Sequence, residues 1–69
     1  MNYPTTLSEG KIKWVLDSFW IMLTELASQA DNEDDRTLKV MVEGFARQWN
    51  SLTGSNYQPP WVVRAAKSV

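Results

Sequence analysis

KIKWVLDSFWIM, residues 11 to 22, carries more large apolar side chains than a single face of a helix can hold. At about 100° per residue, Met22, Val15, Leu26, Phe19, Ile12, Leu23, Leu16, Ala27 and Trp20 fall on one continuous arc. The order Ile12, Leu16, Phe19, Leu23, Leu26, Ala30 alternates steps of four and three, the seam that a packed helical neighbour requires. This predicts a helix over residues 9–29. Trp14 and Ile21 are left over. They sit on the opposite side, two turns apart, among Lys13, Asp17, Thr24, Glu25 and Ser28.

Outward from that helix, residues 1–7 contain Pro4 and two threonines and read as an extended lead-in, with Thr6 or Ser8 placed to cap the helix and Glu9 in its first turn. On the other side, ADNEDD at 30–35 is rich in residues that prefer turns and caps. It predicts a short connection to a second helix over 34–53, which Gly54 stops. Met41, Leu52, Phe45, Leu38, Trp49, Val42 and Ala46 share one face of that helix. A connection this short makes the two helices antiparallel neighbours. Residues 54–60 form a Pro-containing connection, and Pro60 introduces a short helix over 61–67 with Lys67 at its C-terminal end. So short a helix is unstable alone, and Trp61 must dock for it to form.

The expected fold is therefore all-α: an antiparallel helical hairpin with a short C-terminal helix, a single domain over residues 1–69. A chain of this size has a marginal core. Cysteine and histidine are both absent, which removes disulfides and the usual soft or borderline metal ligands as reinforcement. Homodimerisation into a helical bundle remains. The outer side of the second helix carries a row of short side chains, Thr37, Val40, Gly44 and Ser51, and a mid-helix glycine is costly unless a neighbouring backbone approaches it. That row is the expected dimer contact; drift at a tolerant surface is the bland alternative.

Composition excludes several function classes. Seven Lys and Arg against eight Asp and Glu give no extended basic field, so nucleic acid and anionic membranes are poor partners. No apolar run reaches the length of a membrane span, and the first residues have no basic start or apolar signal core. A cytoplasmic setting is the expectation. The acidic run Asp31 to Asp35 lacks the glycine and closing glutamate of a calcium loop. Without His, Cys or a Gly-rich phosphate loop, neither an enzyme nor a cofactor is expected. Arg36, Lys39 and Arg47 are interrupted by Glu43, too sparse a series to track DNA phosphates.

What remains is contact with another protein. Trp14, Ile21 and Trp61 are the candidate anchors, and Lys11, Lys13, Asp17 and Glu25 the candidate polar rim. In the competing arrangement Tyr57, Pro59, Pro60 or Trp61 folds back over Trp14 and Ile21 and completes an ordinary core. Trp20 and Trp49 lie on the core faces. The expected function is a small non-enzymatic inhibitor or adaptor. A small DNA-binding regulator is the alternative, and a structural subunit of a larger assembly a further one. No particular residues single out a family; small Cys-free acidic helical chains are a style common among phage-encoded inhibitors, antitoxins and co-regulators.

Overall fold

Three helices, α1 (Lys11–Glu33), α2 (Arg36–Thr53) and α3 (Pro60–Lys67), succeed one another in the computed structural model, which describes residues 11–68. All regular structure among the described residues is helical. α1 and α2 lie side by side as an antiparallel hairpin, and α3 returns along one face of it. The lead-in and the expected helix start around Glu9 lie outside the described residues.

α1 extends to Glu33, four residues past its expected end, because Ala30 is fully buried and continuing the helix seats it against α2. The connection shrinks to Asp34 and Asp35. Asp34 takes a left-handed conformation, φ 50°, and the Asp35 and Asp34 N–H groups donate back to the carbonyls of Ala30 and Asp31 at 3.1 and 3.3 Å. This is a Schellman stop with aspartate where glycine is usual. Asp35 then caps α2, its Oδ1 accepting from the Leu38 N–H at 3.0 Å. At the far end Gly54, φ 69°, donates its N–H to the Asn50 carbonyl at 2.8 Å. Pro60 opens α3 one residue earlier than expected, where its missing N–H costs nothing.

Leu16, Leu23, Ala27 and Ala30 of α1 meet Val42, Ala46 and Trp49 of α2 in the buried core. Trp49 is its largest member, with Phe19 edge-on at 5.7 Å between ring centroids and Trp20 at 5.1 Å. Below it the buried Thr53 hydroxyl donates to the Trp49 carbonyl at 2.8 Å and lies 2.7 Å from the Ser55 hydroxyl. Four residues expected on the core arcs stay outside: Val15, Met22, Met41 and Leu52 are each 44 to 52% exposed. One helical neighbour buries only a stripe of a helix, and the tail widens that stripe on one flank alone.

Candidate protein-interaction surface

The tail's docking decides which apolar residues remain outside. After Gly54 the chain turns back. Tyr57 stacks edge-on against Trp20 at 5.2 Å, and its backbone is held by the Asn50 side chain through two hydrogen bonds, 2.9 and 3.0 Å. Burial pushes the Tyr57 phenol above its ordinary pKa. Pro59 is buried, and Trp61 lies half-buried with its indole N–H donating to Glu43 Oε2 at 2.7 Å. Lys39 Nζ sits 5.5 Å from the Trp61 ring centroid and 2.6 Å from Asp34 Oδ1. Its hydrogen bond and charge hold the Asp34 carboxyl below the usual range. One helical turn further, Arg64 forks onto both carboxylate oxygens of Asp31. That pair lowers the Asp31 pKa and raises that of Arg64, chiefly through the hydrogen bonds.

All of these contacts fall on one face of the hairpin. The tail does not reach Trp14 and Ile21, which are 70% and 55% exposed on the outer side of α1. Lys13 and Asp17 flank them and are joined by a 2.7 Å ion pair. Ser18 and Thr24 turn their hydroxyls back onto the helix, to the Trp14 and Trp20 carbonyls, each at 3.0 Å. The polar residues beside the two anchors thus satisfy themselves locally and leave the apolar surface unobstructed. Glu25 is exposed at the rim; the Lys11 side chain lies outside the described residues. A shallow groove lined by Ser18, Ile21, Met22, Glu25, Leu26 and Gln29 continues the strip along α1.

Trp61 is not brought to Trp14 and Ile21. It belongs to the docked tail, against α2. The row Thr37, Val40, Gly44 and Ser51 lies on the outer side of α2, and three of its members line a groove with Met41, Phe45 and Gln48. A Cβ built on Gly44 would meet only Arg47 Nη2, at 3.9 Å. Nothing among the described residues requires glycine there. Two residues central to the tail's docking, Asn50 and Glu43, are not among the candidates that the sequence singles out. Their signal was hidden because their partners lie 7 and 18 positions away.

Among the described residues no group of three or more His, Cys, Asp or Glu side chains is arranged to hold a metal, and no helix is long and apolar enough to cross a membrane. Compared with known protein families, curated proteins and solved structures, the chain matches none.

Proposed function

We propose that the chain is a non-enzymatic protein-binding module, acting as an inhibitor or adaptor by direct contact with another protein in a reducing, cytoplasmic setting, and working as a homodimer. The observation that carries this reading is Trp14, 70% exposed beside Ile21 on a surface the tail leaves uncovered. Tryptophan concentrates binding energy when a partner desolvates it, and the Lys13–Asp17 pair beside it supplies a polar rim. A duplex-binding reading has less to rest on, since Lys39 and Arg64 are each engaged by a carboxylate and a phosphate-tracking surface needs its cations available.

The test compares capture of proteins from lysate by wild type, Trp14→Ala and Ile21→Ala, alongside retention on a generic DNA duplex at increasing salt. The expected result is one protein held stoichiometrically by wild type and lost in both variants, whose circular dichroism is unchanged. Equal capture by all three, unfolding of Trp14→Ala, or steeply salt-dependent duplex retention would overturn the reading.

A further inference from the structure

The hairpin is a two-helix layer with two faces, and among the described residues the tail covers only one. Trp20 and Asp31 on α1, and Glu43 and Asn50 on α2, receive the tail. On the other side of the α1–α2 contact, helical rotation places Val15, Phe19 and Met22 next to Met41, Phe45 and Leu52. Four of these are about half exposed, and the two phenylalanines are only partly buried. We propose that this open face is the seam of a homodimer in which two hairpins pack as a four-helix bundle, with the tails outermost. The proposal deepens the interaction-module reading, and rests on it, by locating the seam at which its two copies meet.

Three observations favour a second copy as occupant. First, none of the six residues is charged. A two-fold axis sets each side chain near its own counterpart, so this uncharged centre is one a copy of the chain can meet without repulsion, Glu33 falling in line with Val15 only at the last residue of α1. Second, the area is right. The 18 residues of α2 span about 27 Å, and two helices about 10 Å apart present a face about 20 Å wide. A corrugated face of that outline approaches the roughly 800 Å² per partner of a stable interface. Third, the core is thin: among the described residues three of the seven buried apolar side chains are alanine, and no disulfide reinforces it.

The seam also differs from the one expected from sequence. Its centre is the Met22 and Met41 flank, while Gly44 and Ser51 border it along the α2 groove. Trp14 and Ile21 lie to the outside of α1 and stay exposed in the bundle, one pair per copy.

Sedimentation equilibrium from micromolar to millimolar concentration tests this with wild type, Met22→Glu, Met41→Glu and Trp14→Ala. Wild type and Trp14→Ala are expected at twice the 7.9 kDa chain mass. Each glutamate variant keeps its helical circular dichroism and dissociates at least about 100-fold more readily, because the symmetric seam buries its charge twice. Wild type at single-chain mass throughout, glutamate variants that dimerise as wild type does, or a dimer lost only in Trp14→Ala would overturn the proposal. Should a glutamate variant unfold, dilution of the unaltered protein decides. The Met22 and Met41 methyl resonances shift with dissociation and the Trp14 indole resonance does not; methionines indifferent to dilution would overturn it. Capture by Trp14→Ala and mass of Met22→Glu report separately, so failure of the partner reading is distinguishable from failure of the seam.

Discussion

The Asn50 side chain grips the backbone of Tyr57 twice: its Oδ1 accepts from the Tyr57 N–H at 2.9 Å, and its Nδ2 donates to the Tyr57 carbonyl at 3.0 Å. Only a carboxamide makes both bonds at once. The clamp fixes where the tail leaves α2, and so which face of the hairpin it covers.

Asn50→Ala should therefore cost about 1 to 3 kcal/mol, since both backbone groups of Tyr57 lose their partner in a half-buried place. Asn50→Asp should be destabilising too, because its carboxylate faces the Tyr57 carbonyl without a proton to donate. Urea unfolding followed by circular dichroism measures both. A stability unchanged in Asn50→Ala would mean the tail is held by its aromatic contacts alone.

Trp61→Phe removes the indole N–H bonded to Glu43 and weakens the contact with the Lys39 ammonium. The loss should be about 1 kcal/mol, lowering the thermal midpoint by about 4 to 8 °C for a domain of this size. Glu43→Gln, which retains an acceptor, should cost less than Trp61→Phe. The reverse order in thermal melts would place the value of this contact in the carboxylate charge.

Acid should loosen the attachment of α3. Arg64 holds the Asp31 carboxyl below its ordinary value, and Lys39 does the same for Asp34. The unfolded chain therefore takes up these protons first as pH falls. The stability the pairs contribute is fully present above about pH 4 and is lost as pH drops through the folded-state values. Unfolding midpoints measured across this window should fall, and Asp31→Asn should show a shallower dependence than wild type. A slope unchanged in Asp31→Asn would remove the Asp31–Arg64 pair from the account.

Asp34→Gly should raise the thermal midpoint by a few degrees. Asp34 occupies a left-handed conformation that glycine adopts without a Cβ penalty, and its ion pair with Lys39 is solvent-exposed at the Asp34 end. The gain should be larger in high salt, where that pair is already screened in wild type. A lower midpoint would show that the Lys39 contact outweighs the backbone relief.

Helix positions were legible in the sequence where a local rule decides them. Gly54 stops α2 because it takes the left-handed conformation without a Cβ penalty, and Pro60 starts α3 because its φ is preset for a first turn and it has no N–H to lose. Trp20, Trp49 and the Leu16–Leu23–Ala27 line face the core as their spacing implies. The end of α1 was not legible, because burial of Ala30 overrides the turn preference of the residues after it. Nor was the exposure of Val15, Met22, Met41 and Leu52: a helical wheel gives the width of an apolar arc but not how much of it a neighbour covers. That is settled by the tail, whose contacts from Tyr57 to Asn50, Trp61 to Glu43 and Arg64 to Asp31 join positions that no local pattern links.

The two-residue link at Asp34 and Asp35 also sets an order of events. Closing so short a loop sacrifices little chain entropy, and chains dominated by contacts near in sequence fold in microseconds to milliseconds. The hairpin should zip from Asp35 outward, Ala30 meeting Leu38 before Leu16 nears Trp49. The tail, whose Arg64 must find Asp31 across 33 positions, should attach afterwards. In stopped-flow experiments Asn50→Ala and Trp61→Phe should then speed unfolding while leaving the rate of hairpin formation nearly untouched.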